Sequence, residues 1–106
     1  MAKMIGHFFW ILFAASLAIA ADATAGKATY EKACKACHGA TGAPNAAVAK
    51  GMKVQMAHLG DATVQGLSTD ELKAAITGGK GKMKPVKSVS GNAVDDVVAY
   101  VRTFKK

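Results

Sequence analysis

Residues 34 to 38 read Cys-Lys-Ala-Cys-His (CKACH), and this stretch decides how the rest of the chain is interpreted. The thiols of Cys34 and Cys37 have the spacing needed to add to the two vinyl groups of one haem. His38 follows at once, where its imidazole can reach the iron. The pattern therefore predicts one covalently attached haem c whose iron is bound by His38.

Two other uses of a C-x-x-C pair fit the sequence less well. A redox disulfide of the thioredoxin type needs a β-α-β context, and the chain shows no alternating strand pattern. A structural zinc site needs two further ligands, and His58 has no partner at ligand spacing. Covalent haem attachment is therefore the preferred interpretation.

The chain begins with a segment typical of secretory signal peptides. Lys3 gives it a basic start, residues 4–20 form an apolar run, and Ala18-Ile19-Ala20 places small residues where signal peptidase cleaves. A retained membrane helix is the alternative, but the run is near the lower length limit for spanning a bilayer.

This segment predicts export to the periplasm, with no stable membrane insertion once the leader is removed. The expected parts of the chain are a cleaved leader at residues 1–20, with the cut near Ala20, and a mature domain at residues 21–106. That domain is small for a stable apolar core, so a bound haem would supply much of what its helices bury.

Charge and composition favour acidic partners. The 106 residues include 14 Lys and Arg against 7 Asp and Glu, which gives a net charge of +7. A basic protein of this size can bind nucleic acid, an anionic membrane or an acidic protein, but no nucleic-acid motif accompanies the lysines. We expect a monomer that meets redox partner proteins through acidic docking surfaces on those partners, without binding nucleic acid.

The mature part contains three helical segments, which predicts an all-α fold. The first runs from about Ala23 to Ala33 and leads directly into the cysteine pair. The second, residues 67–76 (LSTDELKAAI), starts with a capping box formed by Ser68 and Glu71 and stops at Gly78-Gly79.

The third segment begins near Ser90 and has an apolar stripe that must pack against another helix. The stripe consists of Val94, Val97, Val98, Val101 and Phe104. The first helix is the most economical partner, because Gly26 lets a second backbone approach closely and Tyr30 lies one turn further on. We expect the two helices to cross with Gly26 beside Tyr100.

The second axial position of the iron has several candidate ligands, namely Met52, Met56, His58 and Met83. Met83 is favoured because it lies in GGKGKMKPV, where glycines let an irregular loop wrap one face of a haem. Met52 and Met56 have the i, i+4 spacing of ordinary core packing. His58 would give a bis-histidine site, but an isolated histidine more often has a structural role.

Three separated motifs resemble the small class I c-type cytochromes of bacteria: CKACH with residues 39–44, GGKGKM, and the terminal VVAYVRTF. The resemblance covers nearly all of the mature chain. It implies a small cytochrome c fold of three to four helices wrapped around one covalently bound haem, with the N- and C-terminal helices crossing. One departure is Lys84, which stands between Met83 and Pro85 where many members read Met-Pro.

The resemblance also implies a ligand set and a supporting contact. His38 and Met83 would be the axial ligands, and the carbonyl of Pro44 would accept a hydrogen bond from the other ring nitrogen of His38, which fixes the ring. With both axial positions filled, iron has no vacant site for a substrate. The function expected is one-electron transport and not catalysis.

Lysines around the proposed ligand loop could steer an acidic partner towards the haem edge. They are Lys80, Lys82, Lys84 and Lys87. Two further functions stay open: a haem enzyme or gas or peroxide sensor in which Met83 is labile, and a haem subunit of a larger oxidoreductase complex.

Overall fold

The computed structural model describes residues 20–106, which contain six helices and no extended strand. The three longest are α1 (Ala23–Ala33), α5 (Thr69–Gly78) and α6 (Asn92–Arg102), and the short ones are α2 (Lys35–His38), α3 (Ala46–Met52) and α4 (Ala62–Gln65). The all-α prediction is confirmed, and three short helices add to the three predicted segments. The predicted leader lies outside the described residues except for Ala20.

Local sequence signals set the ends of the long helices. The side chain of Asp22 accepts hydrogen bonds from the first backbone amides of α1. At the start of α5, the amide of Glu71 donates to the Ser68 hydroxyl at 3.0 Å and the Ser68 amide donates to the Glu71 carboxylate at 2.8 Å. The predicted capping box is confirmed, and α5 ends at Gly79 with a φ of 80°.

Helices α1 and α6 cross where sequence analysis expected. A Cβ atom built on Gly26 would lie 1.9 Å from the carbonyl oxygen of Asp96 and 3.1 Å from the Cβ of Tyr100. Tyr30, only 1 % exposed, packs edge-on against Tyr100 and Phe104 at ring-centroid distances of 5.3 and 5.4 Å. The crossing therefore depends on a backbone contact that only glycine allows, sealed by three aromatic rings.

A polar network attaches the segment around α4 to α6. The Arg102 guanidinium donates to the carbonyls of Gln65 and Leu67 at 2.8 and 2.7 Å. The Gln65 side-chain amide donates to the carbonyls of Leu59 and Val101 at 2.8 and 2.9 Å. These bonds fix the irregular middle of the chain against the last helix.

Within residues 20–106, none of the helices has the length and apolar character needed to cross a bilayer.

Candidate haem-binding site

The CKACH motif forms its own turn of helix. Cys34 ends α1 and begins α2, and the amide of His38 donates to the Cys34 carbonyl at 2.9 Å. Cys34, Cys37 and His38 therefore occupy positions i, i+3 and i+4 of one turn, which places their side chains next to one another. Both cysteines are free thiols; Cys34 is buried and Cys37 half-buried.

Burial favours the uncharged forms of Cys34 and His38. It raises the pKa of Cys34 to about 11, with the neighbouring Cys37 adding to the effect, and it lowers the pKa of His38. A neutral imidazole has a lone pair available for a metal, so the lowered pKa of His38 fits a role as an iron ligand.

His38 also has an unsatisfied polar atom. Its Nδ1 is the one buried side-chain nitrogen or oxygen in residues 20–106 that makes no hydrogen bond. A buried polar atom without a partner is costly, and it marks a place where something else completes the site. The bond from His38 to the Pro44 carbonyl, implied by the resemblance, is not formed in this arrangement and stays a prediction for the haem-bound protein.

The loop after His38 folds tightly back onto the motif. Gly39 has a φ of 78°, and a Cβ atom there would lie 2.0 Å from the carbonyl oxygen of Ala43. Asn45 donates through its backbone amide to the Cys37 carbonyl at 2.9 Å and through its side chain to the Ala36 carbonyl at 3.3 Å. The Tyr30 hydroxyl donates to the Gly39 carbonyl at 2.6 Å. The motif is thus held from both α1 and the following loop.

A pocket of about 490 Å³ borders this loop. Pro44, Val54 and Met56 are among the residues that line it, and Pro44 is half-buried. The lining includes neither cysteine of the motif nor His38, so the pocket adjoins the attachment site and does not contain it. The pocket is open to solvent, and its wall is mixed polar and apolar.

Met83 closes a turn whose two central residues are Gly81 and Lys82. The backbones of Lys80 and Met83 exchange two hydrogen bonds, each 2.9 Å long, around Gly81, which has a φ of 60°. The amide of Val86 then donates to the carbonyl of Ile76 in α5 at 2.8 Å. Met83 itself is half-buried. The turn and the attachment to α5 fix the backbone from which the Met83 thioether projects.

The other candidate ligands have different surroundings. Met52 ends α3 and is 38 % exposed, whereas Met56 lies beyond that helix in a loop. Their i, i+4 spacing does not place them on one helix, because α3 stops at Met52 and Lys53 takes a left-handed conformation. Packing of the two methionines around the haem stays a prediction. His58 accepts a 2.8 Å hydrogen bond from the amide of Gly60 through Nδ1, which agrees with a structural role.

Three supporting contacts were not predicted from the sequence: those of the Tyr30 hydroxyl, of Asn45 and of the Lys82 ammonium. Lys82 donates through Nζ to the carbonyl of Met52 at 3.0 Å, which links the Met83 loop to the end of α3. Asn45 could have been found, since an asparagine before an alanine-rich run is an N-cap signal. No sequence pattern indicates the acceptor of a tyrosine hydroxyl or a lysine.

Comparison with known proteins agrees with this geometry. Residues 21–101 match the family model described as "Cytochrome C oxidase, cbb3-type, subunit III". A solved structure described as "KustC0563 c-type cytochrome" is 31% identical, with a TM-score of 0.64, and the match covers 76% of this chain and 98% of that chain. No curated protein matches. The chain therefore belongs to the cbb3-type subunit III family of c-type cytochromes, proteins that transfer electrons through a covalently bound haem c.

Proposed function

We propose that this protein is an exported, soluble one-electron carrier in which haem is held by Cys34 and Cys37 and its iron is bound by His38 and Met83. The observation that carries the proposal is the single turn of helix that joins two free thiols to a half-buried imidazole whose pKa is lowered by burial. The haem supplies a reversible one-electron couple when bound. The protein supplies attachment, axial ligands and a surface for partners.

The surroundings of Met83 support it as the second ligand. Its backbone is fixed by a closed turn, and its side chain is partly shielded, whereas Met52 is exposed at the end of a helix. A thioether on a fixed loop can fill the position opposite His38 and exclude other ligands. Two filled axial positions favour electron transfer over catalysis.

The charge distribution supports a partner with an acidic docking surface. The four lysines that flank Met83 in sequence are all exposed: Lys80, Lys82, Lys84 and Lys87. Exposed charges of one sign near a redox site raise the rate of encounter with an oppositely charged protein more than they raise affinity. A monomer released into the periplasm after cleavage near Ala20 would present this surface freely.

The test is the absorption spectrum of protein matured with haem, compared with Met83→Ala and the control Met52→Ala. We expect the oxidised forms of the wild type and of Met52→Ala to show a methionine-sulfur charge-transfer band. Their reduced forms should not bind carbon monoxide. Met83→Ala should lose the band and bind carbon monoxide. Ready binding of carbon monoxide by the wild type would instead favour a haem enzyme or gas sensor.

A second candidate function is a haem subunit of a larger oxidoreductase. The description of the matching family, which names an oxidase subunit, favours it. Fractionation of cells that express the natural protein separates the two. A carrier elutes from the periplasmic fraction at the size of one chain, whereas a subunit stays with a membrane fraction and elutes with other proteins.

A further inference from the structure

The Tyr30 hydroxyl connects the helix crossing to the residue that follows His38. Tyr30 is 1 % exposed, and its hydroxyl donates to the Gly39 carbonyl at 2.6 Å. We propose that Tyr30 is a positioning residue: its hydroxyl fixes the carbonyl of Gly39, the residue that follows His38, and thereby tunes how the imidazole binds iron in its two oxidation states. The inference rests on His38 being the axial ligand, as proposed above.

Packing alone does not require this hydroxyl. The Tyr30 ring makes edge contacts with Tyr100 and Phe104, and a phenylalanine ring would make the same contacts. The hydroxyl is useful only where it meets a polar partner, which here is a carbonyl nine residues along the chain. Burial raises the pKa of Tyr30 above its ordinary value, so the hydroxyl keeps its proton and remains a donor.

The Gly39 carbonyl has little else to hold it. Its other contact is the amide of Gly42 at 3.4 Å, near the limit of a hydrogen bond. The preceding peptide, His38–Gly39, is held separately, because its amide donates to the Lys35 carbonyl at 2.8 Å. Loss of the Tyr30 hydroxyl would therefore free the Gly39–Ala40 peptide while the His38–Gly39 peptide stays fixed.

His38 is restrained on its N-terminal side by the helix bond to Cys34 at 2.9 Å. The restraint on its C-terminal side reaches α1 through Gly39 and Tyr30, and α1 is itself fixed against α6 at Gly26. A ligand clamped at both ends keeps its ring orientation when the iron changes charge. Such support is the usual way a protein tunes a bound metal beyond its direct ligands.

A contact that positions a ligand and a contact that only stabilises the fold have different thermodynamic effects. A contact that stabilises the oxidised and reduced proteins equally leaves the reduction potential unchanged. A contact coupled to ligation changes the unfolding equilibrium of one oxidation state more than the other, and the potential moves by the difference. Stability and potential measured together therefore distinguish a positioning group from a packing group.

The experiment compares Tyr30→Phe with Tyr100→Phe in haem-loaded protein. Both variants remove one hydroxyl from the same aromatic cluster, but only Tyr30 is bonded to Gly39. For Tyr30→Phe we expect the ratio of oxidised to reduced unfolding constants to change about two- to tenfold, with a matching shift in potential and new haem-methyl NMR positions. Tyr100→Phe should leave all three unchanged. An equal loss of stability in both oxidation states of Tyr30→Phe would overturn the proposal.

If Tyr30→Phe does not yield haem-loaded protein, a second substitution tests the proposal. A fluorinated tyrosine at position 30 keeps the ring and makes the hydroxyl a stronger donor, so the potential should shift in the opposite direction; no shift would also overturn the proposal. Failure of the proposed function gives a different result. In that case the wild type would carry no covalent haem, or His38→Ala would leave its spectrum unchanged.

Discussion

The two sides of the site are built by different means. On the attachment side, α1 and α6 meet at Gly26 through backbone contact, and the aromatic cluster of Tyr30, Tyr100 and Phe104 closes the crossing. On the side of Met83, a turn with two backbone hydrogen bonds is surrounded by exposed lysines. Close packing between two helices therefore shapes the first region, and the conformation of a turn shapes the second. Changes in each should therefore have different consequences.

The largest effect is expected for Gly26→Ala at the crossing. The new Cβ would lie 1.9 Å from the Asp96 carbonyl oxygen, a backbone atom that cannot move without separating the helices. We expect a loss of at least about 3 kcal/mol, seen as little haem-loaded protein and a lower melting temperature. Gly51→Ala in α3 is the control, because its Cβ would meet nothing within 4 Å. Normal yield and stability for Gly26→Ala would contradict the close crossing.

Gly79→Ala should damage the ligand loop and leave the crossing intact. Gly79 has a φ of 80°, and its Cβ would lie 2.6 Å from the Met83 carbonyl oxygen. A φ of 80° combined with a ψ of 165° is a conformation used almost only by glycine, and it costs about 1–3 kcal/mol for a residue with a side chain. We expect haem to stay attached while the methionine charge-transfer band weakens and carbon monoxide binds the reduced protein.

The adjacent glycine provides a matched control for this loop. Gly78→Ala adds the same methyl group at a position where it would meet nothing within 4 Å. It should keep the band and should slightly stabilise α5. If Gly78→Ala and Gly79→Ala gave the same spectrum, the backbone of the turn would not control Met83.

Much of the attachment side could be predicted because its signals are local or periodic. The capping box at Ser68 and Glu71 depends on residues three apart, and the contact between Gly26 and Tyr100 follows from one glycine and one apolar stripe. The leader and its cleavage near Ala20 stay a prediction. In these cases the deciding information lies within one helix or one helix pair.

The parts of the structure that the sequence did not predict depend on side chains that bond to backbone groups far away in the chain. Arg102 and Gln65 fix the middle of the chain through bonds between residues up to 37 positions apart, which no periodicity encodes. The exposure of Met52 follows from a left-handed turn at Lys53, which is not a residue type that signals such a turn. The ligand roles of His38 and Met83, and the Pro44 contact, stay predictions because they involve the haem.

Charge reversal on the ligand loop should slow electron transfer without changing the site. For Lys80→Glu with Lys84→Glu, we expect about tenfold slower transfer to an acidic partner at low salt, and a difference that shrinks as ionic strength rises. Lys27→Glu with Lys32→Glu changes net charge equally on exposed positions of α1. If both double variants slowed electron transfer equally, the net charge of the protein would control the rate, and not a docking surface at the loop.

The smallest effect is expected for Lys82, which belongs to both the charged surface and the support of the loop. Its ammonium donates to the carbonyl of Met52 at 3.0 Å, the last residue of α3, where a cation also meets the negative end of the helix dipole. Lys82→Ala should accelerate displacement of Met83 by added imidazole about two- to threefold, as expected for one exposed hydrogen bond.

Lys84→Ala removes an equal charge from the other side of Met83 and should leave that rate unchanged. Because Lys82→Ala and Lys84→Ala lower net charge equally, the difference between their rates isolates the bond to Met52 from the field of the lysines. Identical rates would mean that the Met83 turn holds its shape without α3.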